Sequence, residues 1–182
     1  MEKGVTEDFR KILYEKPYRR ILWSTPQIIA TWVATNPTIG RIDMNFLEVP
    51  FRMTLQGVIL KWGAACAGNV YVVLYRDNGN TPAGGARLAV SNSVAKAGVS
   101  RNQYVPFVTP VRVRPGPYWI GLESDEAASN IYYCVGSLDA ADVEFRRAYA
   151  DLGAYAIPPD PCPAVNWDQY PRWMAAYIQS IP

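Results

Sequence analysis

The sequence predicts an all-β protein: one antiparallel β-sandwich of jelly-roll type over residues 41–182, preceded by an N-terminal arm over residues 1–40 that carries a short helix. Three observations predict it. From Arg41 onward, apolar residues recur at every second position, the period of a half-buried strand. Turn-forming residues interrupt these runs about every eight to twelve positions, the rhythm of a sandwich or jelly roll. After residue 20 no stretch holds a helical period, and the 13% aromatic content with 15 prolines and 13 glycines suits short strands and tight turns.

In the arm, residues 6–16 read as an amphipathic helix. Thr6 caps it, Glu7 and Asp8 suit the positive end of its dipole, and Phe9, Ile12 and Leu13 form one stripe. Pro17 stops it. A helix this short is marginal in water, so it needs a surface to dock on, its own sandwich or a neighbouring subunit. Pro26 and Pro37 interrupt the remainder of the arm. Between them Gln27–Val33, with Ile28 and Trp32, has high strand propensity. It reads as an edge strand of the sandwich, with donation to a neighbour by strand addition as the alternative.

In the sandwich, Ile42, Met44 and Phe46 alternate with polar residues. Pro50 marks a strand edge or bulge. Met53 and Leu55 alternate next and, after Gly57, so do Val58, Leu60 and Trp62. Residues 70–75 form a nearly continuous apolar strand, which predicts cover on both faces. A polar loop, 77–85, comes next. Further strands are predicted at 86–91, 103–108, 111–114, 117–123, 131–135 and 143–148. The stretches around 70–75 and 117–123 mirror each other and read as central strands. In the second, Tyr118 and Trp119 are consecutive and must face opposite sides of the sheet. Prolines hold 157–163 extended, and 170–178 reads as a last strand returning to the sheet or to a partner.

Composition excludes several functions. A net charge of +2 is no nucleic-acid footprint, which needs Lys and Arg clustered on one face. Arg10, Lys11, Lys16, Arg19 and Arg20 fall close together in the arm, partly offset by Glu7, Asp8 and Glu15, and read as a solvated surface, with contact to an acidic partner as the alternative. No run approaches the roughly 18 apolar residues of a membrane helix, and the start lacks the apolar core of a signal peptide, so synthesis in a cytoplasm is expected. The cysteines Cys66, Cys134 and Cys162 form no CxxC unit and read as buried thiols, a Cys66–Cys134 bridge requiring adjacent strands. Histidine is absent, which removes His-dependent nucleophiles and metal sites; no metal or cofactor is implied.

Paired carboxylates remain, with Asp77, Glu123, Asp125, Glu126, Asp139, Asp142 and Glu144 as candidates. Asp77 and Asp125 each come just after a central strand and would converge at one rim if those strands were parallel neighbours. Both also sit in ordinary turn sequences. No catalytic residue is assigned. Ligand contact points to these two together with Trp167 and Tyr170, which lie beside Asn166, Asp168 and Gln169 in a loop-like tail. Aromatic rings with polar neighbours suit a sugar, and subunit packing is the alternative.

The order of five stretches, LEVPF, GVILKWGAACAGNVYVVLYRDNGNTPAGG, VTPVRVRPGPYWIGLESD, GAYAIPPDPCP and PRWMAAYI, resembles the β-sandwich domain of tail-fibre and other virion-surface proteins of tailed bacteriophages and prophages. The resemblance spans roughly residues 45–178. It implies a non-enzymatic virion structural protein: a tail fibre, head fibre or capsid decoration subunit, assembling as a homotrimer with other virion proteins. The arm would attach to the particle. Subunit or particle contacts would be Phe9, Ile12, Leu13, Ile28 and Trp32 on the arm, and Trp173, Tyr177 and Ile178 on the tail. The alternative is a carbohydrate-binding module gripping a host glycan with loop aromatics.

Overall fold

The computed structural model describes residues 21–23, 32–134, 147–168, 172 and 174–178. Within them the chain is all-β. In order its strands are β1 (Ile21–Trp23), β2 (Trp32–Thr35), β3 (Arg41–Val49), β4 (Met53–Lys61), β5 (Asn69–Arg76), β6 (Arg87–Val90), β7 (Val94–Ala95), β8 (Asn102–Val113), β9 (Gly116–Ser124), β10 (Ile131–Cys134), β11 (Arg147–Asp151), β12 (Asn166–Asp168) and β13 (Met174–Ile178). One sheet runs β12-β11-β3-β9-β5-β6 with β7 also on β5; a second runs β1-β13-β4-β8; β10 and β2 form a separate ribbon. All pairings between these strands are antiparallel.

The central part is a double ribbon folded over itself. β3 pairs with β9, β4 with β8 and β5 with β6, so the chain from 41 to 76 is matched in reverse by the chain from 87 to 124. Loop 77–86 is the tip of this ribbon. Folding puts β3, β9 and β5 in one layer and β4 and β8 in the other. The apolar core between the layers takes Leu47 and Val49 from β3, Val58 and Leu60 from β4, Val72 and Leu74 from β5, and Ile120 and Leu122 from β9.

The change of phase between Leu55 and Val58 is a bulge inside one long strand. The β4–β8 register breaks between Leu55 and Gly57 and passes over residues 107–110 of β8. The two strands expected at 103–108 and 111–114 are therefore one irregular element. Gly57 is required there, because a Cβ at this position would lie 2.2 Å from the Val105 carbonyl oxygen.

A second core lies on the other face of the larger sheet. Ile42, Met44, Val73, Tyr75, Trp119, Ala148 and Ala150 are buried there together with Cys162. The cover is residues 152–165, the proline-rich stretch, which crosses the face as a strap without strand structure. Tyr155 stacks on Tyr71 at 5.0 Å, the Tyr75 hydroxyl donates to the Pro159 carbonyl at 2.8 Å, and Cys162 exchanges backbone bonds with Gly84 and Gly85. Tyr118 enters the inter-sheet core and Trp119 enters this second one.

The strap inverts one reading of the pattern. Ile42, Met44 and Phe46 look like the core-facing side of β3, with Asp43 and Asn45 solvated. Instead the apolar set faces the strap, and Asp43 and Asn45 point between the two sheets. A strand covered on both faces has no solvent side for alternation to identify.

The predicted helix at 6–16 and the last residues of 131–135 and the first of 143–148 lie outside the described residues. The strand expected at 143–148 is seen at Arg147–Asp151. Within residues 1–40, β1 joins the smaller sheet through β13, and β2 pairs with β10 of its own chain. Cys66 and Cys162 are free thiols.

Candidate functional site

Trp119 anchors the site that the structure assembles best. It sits on β9, fully buried on the strap side, and its indole Nε1 donates to Asp77 Oδ1 at 2.8 Å. Asp77 Oδ2 accepts from the Asn80 backbone at 2.9 Å, so the carboxylate fastens its own loop to the indole. Phe46, the cross-strand neighbour on β3, meets the Trp119 ring edge-on at 5.5 Å. Trp167 also meets it edge-on, at 5.7 Å and 61°.

Trp167 lies on the edge strand β12 opposite Ala148, whose small side chain leaves the indole room to reach inward. It remains 55% exposed. The result is an exposed indole held by a buried one, with Phe46 half-buried beside them. Such a platform is already ordered before any ligand arrives, which lowers the entropy lost on binding. The sequence nominates Trp167 and Asp77 separately; the structure joins them through Trp119.

Asp125 lies elsewhere. β5 and β9 are antiparallel, with Val70 opposite Ser124 and Arg76 opposite Tyr118. Asp77 and Asp125 thus lie past opposite ends of the same pair, roughly 25 Å apart at about 3.3 Å per residue. The condition for their convergence at one rim is not met. Asp125 instead accepts from the Asn69 backbone at 2.5 Å and from the Asn69 amide at 2.7 Å.

Beside Asp125 stands a Ser–Lys arrangement of the kind that can carry chemistry. Lys96 Nζ donates to Ser124 Oγ at 2.7 Å and Ser129 Oγ at 2.9 Å. Burial lowers the Lys96 pKa, while Asp125, Cys66 and Glu126 act in the opposite direction. A lysine base beside a serine is a known way to activate a hydroxyl. Here both serines are fully buried, and their hydroxyls donate to the carbonyls of Glu126 and Ala67. The network ties the end of β9 and the loop after it to Ala67 before β5 and to Lys96 after β7.

No protein-family model and no curated protein matches this chain. The chemistry of the site therefore rests on geometry. No group of three or more His, Cys, Asp or Glu residues among those described could hold a metal ion.

The strongest electrostatic feature is one that the sequence does not announce. Asp43, 1% exposed, is surrounded by Arg41, Arg147 and Arg172. Arg172 Nε reaches Asp43 Oδ2 at 3.1 Å, and Asn45 receives the Arg172 backbone N–H and donates to its carbonyl. Burial pushes the Asp43 carboxyl upward, but the three guanidinium groups together outweigh it and hold its pKa below the ordinary value. Arg172 precedes β13 of the smaller sheet, so this cluster ties the two layers together. The signal available was an aspartate and an asparagine inside a strand, which an exposed face also explains.

Of the other nominated residues, Tyr170, Trp173, Phe9, Ile12, Leu13 and Ile28 lie outside the described residues, as do Asp139, Asp142 and Glu144. Trp32 is paired opposite Cys134 on the ribbon. Ile178 is buried in the core of its own chain. Tyr177 packs its ring 4.6 Å from Tyr104.

Proposed function

We propose that this chain is a non-enzymatic virion structural protein, a tail-fibre, head-fibre or capsid-decoration subunit whose jelly-roll-type sandwich self-assembles and presents its loops outward. The motif order supports the family reading, and the folded double ribbon β3/β9, β4/β8, β5/β6 supports the jelly-roll topology. The observation that carries self-assembly is the outer face of the smaller sheet. There Tyr104 and Val108 are 42% and 61% exposed on the edge strand β8, and the Tyr104 ring packs at a tilt against Tyr177 of β13. Apolar side chains grouped on one exposed face mark contact surfaces.

Light scattering on the full chain tests it. The expected mass is that of an oligomer, three copies on the family reading. Val108→Lys, at an exposed position, should shift it toward monomer while leaving the melting curve intact. A monomer at tens of micromolar wild-type protein overturns the reading.

A second reading is favoured by Trp167: recognition of a glycan on a host surface. A sugar stacks its apolar face on an exposed indole while its hydroxyls meet polar atoms at the rim. Trp167→Ala should weaken retention on a glycan array about tenfold or more, equivalent to ~1.4 kcal/mol. Stability should change by less than about 1 kcal/mol, since half of the side chain is solvated. Equal retention by the variant and the wild type sinks this reading.

A further inference from the structure

Glu123 occupies an unusual place. It is on β9 on the strap side of the larger sheet and is 0% exposed. Its Oε1 accepts one bond, from the Ala156 backbone N–H of the strap, at 3.0 Å. Its Oε2 is buried with no hydrogen-bond partner among the described residues. A buried carboxylate with one amide donor is a poorly solvated charge, whereas the neutral acid fits the site.

Among the described residues, the surroundings supply no cation. Tyr71 from β5 and Ile42 from β3 flank Glu123 in register. Tyr155 and Asp160 come from the strap, Tyr75 lies further along β5, and Asp125 is two positions beyond Glu123 in the chain. Tyr155, pushed up to about 12 by burial, stays neutral through the physiological range, and Tyr75 is raised further still. Arg87 is engaged with the Pro158 carbonyl, and Lys96 sits with Ser124, Ser129 and Asp125.

We infer that strap 152–165 is a proton-governed latch, held closed over the larger sheet while the Glu123 carboxyl is neutral and loosened when it ionises. The strap is suited to this. It has no sheet pairing of its own, and its fastenings are separate contacts: the Tyr155–Tyr71 stack, a 2.7 Å hydroxyl bond between Tyr155 and Ser93, and the Ala156–Glu123 bond lie at one end. The Tyr75, Arg87 and Cys162 bonds lie at the other. Ionisation of Glu123 acts on the first group. That end would lift while the second stays tied, uncovering the apolar side chains of Ile42 and Val73.

Burial raises the Glu123 pKa to about 7, and the Ala156 bond opposes the shift only in part. A carboxyl raised in the closed state favours closure at low pH. Its contribution is complete below the ordinary carboxyl range near 4.5, and it is lost as pH rises through about 7. If the open strap returns Glu123 to an ordinary carboxyl, the opening constant rises roughly thirtyfold between pH 5.5 and 8.5.

Hydrogen exchange of the full chain, corrected for the intrinsic pH dependence of amide exchange, reads this directly. Peptides covering 152–157 should lose roughly thirtyfold in protection between these pH values, while peptides from β5 and β9 keep theirs. Glu123→Gln, which carries the neutral form permanently, should flatten the profile and leave the strap protected at pH 8.5. Uniform protection of the wild-type strap across the range overturns the proposal without recourse to the variant. So does a variant whose strap still opens with rising pH, which would assign the dependence to another group.

Discussion

Asp43→Ala is expected to lower the unfolding free energy by about 3–5 kcal/mol, read as a drop in urea midpoint with an unchanged slope. The magnitude comes from the charges left behind. Arg147 and Arg172 are buried against Asp43, and burial together with Arg147 disfavours the Arg172 charge, so removing the carboxylate leaves like charges in the interior without the anion between them. It also releases the contact that joins the entry of β13 to β3 across the layers. Asp43→Asn keeps the shape and should lose most of the same stability, which separates charge from packing. Because the Asp43 pKa is depressed, its contribution is present above the ordinary value of 3.8 and fades as pH falls through the lowered one. Wild type and Asp43→Ala should therefore converge in strong acid. A change below about 1 kcal/mol at neutral pH would mean that the cluster is no more than a surface pair.

Trp119→Ala should cost a similar amount, about 3–5 kcal/mol, by opening a cavity under the strap. Its indole is wholly buried and touches both Phe46 and Trp167. Trp119→Phe isolates one part of this. It keeps an aromatic ring but removes the Nε1 bond to Asp77, and a bond to a charged acceptor is worth about 1.5–3 kcal/mol. The pair of variants also tests the candidate site. If Trp167 is ordered by the ring beneath it, its fluorescence in Trp119→Ala should shift toward that of a fully solvated indole. An unshifted spectrum would show that β12 alone orders the platform.

How far each feature was legible depends on how local its cause is. Strands β5 and β9 could be read directly, because a continuous apolar run at 70–75 and its mirror with consecutive Tyr118 and Trp119 at 117–123 need no partner to be recognised. The alternation visibly restarts after Gly57, but that this break is a bulge, and that β8 is one irregular strand in place of two, came from the neighbouring strand. β1, β7 and β12 are short, with two or three residues each, and carry too little pattern to stand out. Trp167 and Asp77 were visible as residues that suit a ligand. Their connection through Trp119 was not, since it joins positions on three separate strands or loops. Glu123 appeared as one acid among several, and nothing local announces that a proline-rich stretch thirty or so positions later will bury it.

The sequence by itself determined the all-β class, the central strands and their turns, because two-residue periodicity and turn chemistry act over a few neighbouring residues. Only the tertiary structure decided which face of each strand is interior. The strap gives the larger sheet two buried sides, so the same alternation places Ile42 under the strap and Asp43 between the layers. That choice depends on segments distant in sequence meeting across a sheet, and it settles both the charge cluster and the environment of Glu123.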